Sequence, residues 1–419
     1  MEQPGSPGRD TQSTRIFECQ ECGRRYALEL PSSDLTARCE RCGATLLSVP
    51  ANSLQRSLAL TITGLVLVFV ANTMPFMSLN IKGRFQQVNL ITGDVALFDQ
   101  GLWPLAALVL LTTVVAPTLK LGAIAYVLLG LKLRRPPPGL PVVFRWLERL
   151  RPWSMIEVYL LGVFVAYVKL VAFGTIVIGT ACYSLALLML VMVLIDSALS
   201  REVVWRAMEK RGIVRTPLAP DGSPLLLCET CGLVAPVAKG HSACPRCGAR
   251  RHFRKPDSVT RAWALVITAL VLYLPANIFP VMTVISFGKG ESDTILSGVK
   301  SLFLAGMWPL ALLVFFASIT VPVLKIMGLM FLLVTTRRGS RWRLRDRTLL
   351  YRIVEAIGRW SMIDIFMLSI LAGLVQLGSI ATIEPGVGAI SFAAVVVVTM
   401  FAAAAFDPRL MWDAAGENR

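Results

Sequence analysis

Apolar residues run along this chain in long stretches, and polar residues gather between them. A window of about 19 residues finds apolar runs near 57–79, 102–131, 154–175 and 180–199. Four more fall near 262–286, 303–335, 360–381 and 388–406. About 20 residues of helix cross the roughly 30 Å hydrocarbon layer of a bilayer, so the pattern predicts eight transmembrane helices. Two stretches between them, VVFRWLERLRPW (142–153) and TLLYRIVEAIGRW (348–360), put apolar residues at helical spacing with arginines between. Short amphipathic helices in the membrane interface fit that pattern, and so does a solvated connector.

The second group of four repeats the first. ANTMPFM (71–77) matches ANIFPVM (276–282), and WSMIEVYLLG (153–162) matches WSMIDIFMLS (360–369). LWPLAALVLLTTVVAPTLKLG (102–122) matches MWPLALLVFFASITVPVLKIM (307–327). Four helices are an even number, so the two copies share one topology. The expected fold is an all-α polytopic membrane protein of two tandem four-helix modules, each preceded by a small cysteine-rich ribbon. The expected divisions are ribbon 15–50, module 55–200, linker 201–224, ribbon 225–253, module 258–408 and tail 409–419.

Composition agrees, with 55% hydrophobic residues among 419. The net charge of +16 raises the question of a nucleic-acid partner, but its distribution answers otherwise. Residues 132–151 carry six basic side chains against one acidic, and 337–359 carry eight against two. The opposite loops, 80–101 and 288–301, are each neutral. The positive-inside rule places the basic loops, both ribbons and both termini in the cytoplasm. No nucleic-acid partner is expected. The polar opening MEQPGSPGRDTQST has no apolar core, so no cleaved signal peptide is expected.

Eight of nine cysteines form the pairs CQECG, CERCG, CETCG and CPRCG: Cys19, Cys22, Cys39 and Cys42, then Cys228, Cys231, Cys244 and Cys247. Two such knuckles clamp one ion in a tetrahedral zinc ribbon, and a following glycine allows the positive φ of the tight turn. Two structural zinc sites of four cysteines each are therefore expected, with a rubredoxin-like iron site as the rival. Four thiolates leave no open position for catalysis. Disulfides do not suit a reducing compartment. His241 lies between the second pair of knuckles, where four cysteines already suffice, and Cys182 reads as a packing residue.

Lys120 and Lys325 interrupt apolar helices at matching places. Lys325 stands ten residues before Thr335, about 15 Å along the helix and beyond the reach of snorkelling. An unpaired cation there costs about 2.5–3.5 kcal/mol. Ser361 and Asp364 share a helical face in the next span, as do Ser154 and Glu157, so the expected pairs are Lys325–Asp364 and Lys120–Glu157. Ser318, two turns before Lys325, and Thr399 complete the second set. Thr113 and Lys169 complete the first, with Gln376 at the place matching Lys169. Two readings fit these groups: ion pairs that hold helices together, and a relay in which buried carboxylate and amine trade protons. Pro117 and Pro322 each free a carbonyl and are expected to kink their helices. Pro75 and Pro280 either end the first helices or open them around a cavity, and Trp103–Pro104 and Trp308–Pro309 read as interfacial helix starts.

These motifs, taken together over nearly the whole chain, resemble the bacterial paraquat-inducible protein A family. The resemblance implies a multi-pass protein of the Gram-negative inner membrane. It implies a periplasmic MCE-domain partner that forms a tunnel for phospholipid, loaded or unloaded at its membrane end. It carries over Ser318, Lys325, Ser361, Asp364 and Thr399 as a polar network. The first copy departs in having Glu157 for Asp and in the extra Lys169. The sequence thus reads as a lipid-transport component, and the polar network suggests coupling to protons. No Walker motif, nucleophile elbow or HExxH is present, so no enzyme is expected. A scaffold that recruits partners through its ribbons, and a redox-linked membrane protein, are the alternatives.

Overall fold

The computed structural model describes residues 15–28, 35–81, 84–171, 175–216, 224–236, 243–286, 289–304, 306–358, 360–375 and 381–416. Eight helices in it are long and apolar enough to cross a membrane. Spans 1 to 4 are Ser53–Thr73, Trp103–Lys132, Leu140–Val171 and Thr180–Ala198, and spans 5 to 8 are Ser258–Ile278, Trp308–Arg337, Leu344–Leu374 and Val387–Ala405. Spans 1 and 5 start alike, each preceded by a left-handed residue, Asn52 and Asp257, which tolerate that region better than most. The Ser53 hydroxyl donates to the Ala198 carbonyl at 2.6 Å, and that of Ser258 to Ala405 at 2.8 Å, so the first span of each module is tied to the end of its fourth.

Spans 2 and 6 each contain a π-helical turn, Leu111–Val115 and Phe316–Thr320. Each turn lies just before a proline, Pro117 or Pro322, that cannot donate to the helix. A widened turn thus accompanies each proline, and it carries Thr113 or Ser318 buried on its inner side. Pro75 and Pro280 lie just past the ends of spans 1 and 5 and are plain helix ends.

Both amphipathic stretches are helical, as Leu140–Leu150 and Leu344–Ile357. Each then turns through a short 3-10 segment, Arg151–Trp153 or Trp360–Met362, before its span resumes as Ile156–Val171 or Ile363–Leu374. Ser154 and Ser361 therefore stand outside the regular helices that carry Glu157 and Asp364.

On the face away from the ribbons, each module folds a three-stranded antiparallel sheet. One has Met77–Ile81 between Arg84–Val88 and Thr175–Ile178, the other Met282–Ser286 between Lys289–Asp293 and Ala381–Pro385. The strands link the span 1–2 connection to the span 3–4 connection. Gly179 enables the join, because a Cβ there would run into the Pro75 carbonyl. Helix Thr92–Asp99, between strand and span 2, packs on Ile363–Leu374 of the other module. Helices Ile156–Val171 and Ile363–Leu374 also pack together, with Tyr159 edge-on to Phe366 at 5.5 Å. Nearly all of Ile363–Leu374 is therefore enclosed by protein.

The ribbons change partners. The first ribbon precedes module 1 but docks on module 2: Arg352 donates to the Cys42 carbonyl at 2.9 Å and to Glu21 at 2.6 Å, and Arg41 lies over Trp412 at 4.3 Å. The second precedes module 2 but docks on module 1: Arg145 donates to the Cys247 carbonyl at 3.1 Å, and Arg246 lies over Trp205 at 5.4 Å. Residues 201–210, read as linker, form a helix, Arg201–Lys210, whose Val204, Trp205 and Met208 are buried. Its Glu202 and Glu209 each hold one arginine from each ribbon, Arg15 and Arg246. The tail residues Arg409–Ala414 form the matching helix. There Arg409 gathers Asp407 at 2.9 Å, Glu18 at 3.8 Å and Glu229. His241 and Gln376 lie outside the described residues.

Despite burial, which alone would raise it, the Asp407 carboxyl is held below its ordinary value by Arg409. A depressed carboxylate contributes stability above its unfolded pKa and loses it as pH falls through the folded one. Docking of the first ribbon should thus persist through mild acid and loosen only below the ordinary aspartate range, as read by hydrogen exchange in residues 15–28 and 409–414. Arg409→Ala, which strands a buried carboxylate, is expected to cost about 3–5 kcal/mol and to loosen the same segments at neutral pH.

Candidate functional site

Two sites stand out: paired metal knuckles on the ribbon side and charged groups among the spans. In each ribbon four cysteine sulfurs lie within 4.8 Å of one another and are buried. Cys19–Cys42 and Cys22–Cys39 are 3.5 Å apart, and Cys228–Cys247 and Cys231–Cys244 are 3.6 Å apart. A tetrahedron with Zn–S near 2.3 Å has sulfurs about 3.8 Å apart, so the cage fits one such ion. The knuckle glycines Gly23, Gly43, Gly232 and Gly248 have φ of 75, 74, 75 and 70°. Each donates its N–H to the carbonyl of the first cysteine of its pair, at 2.7–2.9 Å. A side chain would strain that turn.

The intramembrane charges are arranged differently from the expected pairs. Lys120 is buried and donates to Asp196 of span 4 at 2.9 Å, with Arg151 at 3.7 Å from the same carboxylate. Glu157 is exposed and takes no part. The expected Lys120–Glu157 pair fails because the fourth span, not the third, faces Lys120. Asp196 was legible as an acid near the end of an apolar run, LIDSA (194–198), and its place invited dismissal as a helix end.

Module 2 lacks this arrangement, since Ala403 stands where module 1 has Asp196. Lys325 is 3% exposed, and among the described residues its amine has no hydrogen-bond partner. It lies over Gly358, where a Cβ would collide with Nζ. The expected Lys325–Asp364 pair is not formed. Ser318 lies two turns from Lys325 toward the sheet side, and Asp364 keeps company with Ser318. The amine is thus left about 10 Å behind along the helix.

Asp364 instead lines a cavity of about 40 Å³ with Ser318, Asp293, Thr294 and Lys169. Lys169 comes from module 1, and Asp293 from the end of the module 2 sheet. The walls include Val314, Met367, Leu368 and Phe392. Among the described residues Asp364 Oδ1 has no hydrogen-bond partner. So three charges from two modules converge on one small space, large enough for water. Thr399 is buried, and its hydroxyl is spent on the Val396 carbonyl at 2.9 Å, as Ser318 spends its own on Val314 at 2.7 Å. Ser361 is buried in the turn before Asp364. In module 1, Thr113 bonds the Val109 carbonyl at 2.8 Å and Ser154 is buried.

A duplicated four-span module with two buried four-cysteine cages defines a multi-pass membrane protein with metal-binding ribbons. The chain belongs to the paraquat-inducible protein A family, whose model matches residues 54–209 and 259–416, once per module. It is 33% identical over 404 residues, 96% of each chain, to the intermembrane transport protein PqiA of Escherichia coli K12. It is 32% identical over 397 residues to the lipophilic envelope-spanning tunnel protein A of the same strain, covering 94% of this chain and 91% of the relative. It is 28% identical over 420 residues to a probable intermembrane transport protein of Haemophilus influenzae, covering 95% and 96%. No solved structure matches it.

Breaking the Lys120 pair from one side should be worse than removing both partners. Asp196→Ala leaves a buried cation alone and is expected to lower stability by about 3–5 kcal/mol. Lys120→Met combined with Asp196→Leu should recover most of that loss in thermal unfolding of the nanodisc-held protein. A double variant no more stable than the single one would show that the pair is not the source of the cost.

Proposed function

We propose that this protein is the membrane component of an intermembrane lipid-transport system of the bacterial inner membrane. In this reading it loads or unloads phospholipid at the membrane end of a tunnel formed by a periplasmic MCE-domain partner. The ribbons, the basic loops and both termini face the cytoplasm, and the two three-stranded sheets face the partner. The names of the relatives support the reading, since they speak of intermembrane transport and of an envelope-spanning tunnel. The chain makes and breaks no covalent bond in this role. Ribbons at 15–50 and 225–253 and modules at 55–200 and 258–408 are its working units.

The observation that carries the proposal is the cavity shared by Lys169, Asp293, Ser318 and Asp364. Charged groups inside a membrane protein are costly and mark pathways for ions, protons or polar headgroups. Here the cost falls where two modules meet, so a change of charge in the cavity alters how they pack. Protonation of Asp364 removes the attraction to Lys169 and weakens the hold of span 7 on span 3. Lys325, buried over Gly358 with no described partner, is a further buried cation, in module 2. Thr399 lines the same bundle from span 8. Module 1 divides its own set. Lys120 is locked to Asp196, Thr113 and Ser154 are buried in the same module, and Glu157 is exposed, while Lys169 serves the other module.

We further assign zinc to both cysteine cages. Zinc supplies no reaction here; it holds folded a segment too small to fold on a core of its own.

Asp364→Asn should leave the folded protein and its zinc unchanged yet stop lipid transfer between liposomes joined by the MCE partner. Lys169→Met should do the same. Unimpaired transfer in both variants would overturn the reading. A scaffold would instead lose function with Cys228→Ser and keep it with Asp364→Asn. Elemental analysis should find two zinc ions per chain, one for each cage, falling to one in Cys228→Ser.

A further inference from the structure

The two ribbon–module joints are built alike, and one difference between them is chemically specific. On the first ribbon, Arg352 holds the Cys42 carbonyl and a second acceptor, the carboxylate of Glu21 at 2.6 Å. Arg145 is its counterpart on helix 140–150 and holds the Cys247 carbonyl in the same way. The residue matching Glu21 in the second ribbon is Thr230, which brings no charge. Among the described residues Arg145 Nε is buried without a hydrogen-bond partner.

The surroundings change in the same sense. Where the first ribbon continues Thr45, Leu46, Leu47, the second has Arg250, Arg251, His252. These residues line a pocket of about 420 Å³ with Arg145, Arg149, Thr230 and Glu229. Glu229 already serves Arg409. Arg251 is 6% exposed and is anchored by the Ala235 and Pro236 carbonyls at 3.2 and 3.3 Å. Its Nε is likewise buried without a described partner. The first joint thus keeps an acid on its arginine, whereas in the second the acid stands one residue earlier, at Glu229 in the place of Gln20, and is engaged by Arg409, with arginines around the vacated place.

We propose that this pocket binds a phosphate group, which takes the position that Glu21 fills in the first ribbon. Guanidinium groups converging from two elements suit a phosphate's several acceptor oxygens better than a lone carboxylate. The group can be the headgroup of an anionic phospholipid or a free phosphate. The neighbouring helix favours the lipid, because its Val142 and Trp146 stand 44% and 52% exposed beside Arg149 and suit the interface of the leaflet on the ribbon side. The proposal goes beyond the transport reading and does not depend on it.

Thr230→Glu tests it by restoring the built-in anion, in a setting where the first ribbon already tolerates one. Arg250→Gln, at an exposed position, serves as the second variant. The full-length, zinc-loaded protein is held in phosphatidylcholine nanodiscs, with phosphatidylglycerol mixed in or inorganic phosphate added. Thermal unfolding of the second ribbon is then followed. The expected result is a higher midpoint for the wild type with one anion source, a smaller rise for Arg250→Gln and none for Thr230→Glu. A rise with phosphatidylglycerol alone assigns the site to the leaflet, and one with inorganic phosphate alone assigns it to a soluble ligand. The same rise in both variants as in the wild type, or no rise with either source, overturns the proposal.

Discussion

A cation about three turns inside an apolar helix has to be answered by something, and the two halves of this molecule answer it differently. In module 1, Asp196 meets Lys120 directly, and the charge is closed off. In module 2 the matching place is Ala403, so Lys325 stays buried with no described partner. The acid that sequence spacing assigned to it, Asp364, faces another lysine from the other module. The two copies share one frame. The difference between Asp196 and Ala403 makes one a fixed strut and leaves the lysine of the other with no described partner.

That asymmetry is repeated at the centre of the bundle. The Ile363–Leu374 stretch of span 7 is enclosed by span 3, by helix 92–99 and by its own module. Span 3 is its counterpart by sequence, yet it lends its lysine to span 7's cavity. The modules are therefore alike in construction and unlike in surroundings. The π-helical turns before Pro117 and Pro322 belong to the common frame, and they set Thr113 and Ser318 on the inner face of each bundle.

Much of this was legible from residue order alone. Eight spans followed from hydrophobic length, and their duplication from matching segments. The four-cysteine cages followed from knuckle spacing with its glycine. The pairing of charges was not legible. Helical periodicity says which residues of one helix share a face, but not which neighbouring helix that face meets. Lys120 found span 4 rather than span 3 for that reason. The outer sheets were missed because strands such as Thr175–Ile178 are four or five residues long and sit in loops of neutral charge. Residues 201–210 read as linker because their polar face is dense in charge. Their buried Val204, Trp205 and Met208 show a helix with a second side.

The crossing of the ribbons bears on what a single copy of this unit would need. Each ribbon rests on the module it does not precede, held by Arg145 or Arg352 from the other half. A chain of one ribbon and one module, folded by the same rules, would keep the ion pairs of its ribbon with its own last helix, as Arg15 has with Glu202 and Glu209, but would lack the arginine seat that lies across the halves. It would have to borrow a seat from a second copy and lend one in return, as a twofold dimer does. Gene fusion would then have converted an exchange between two chains into an internal one, and freed each half to change without its twin.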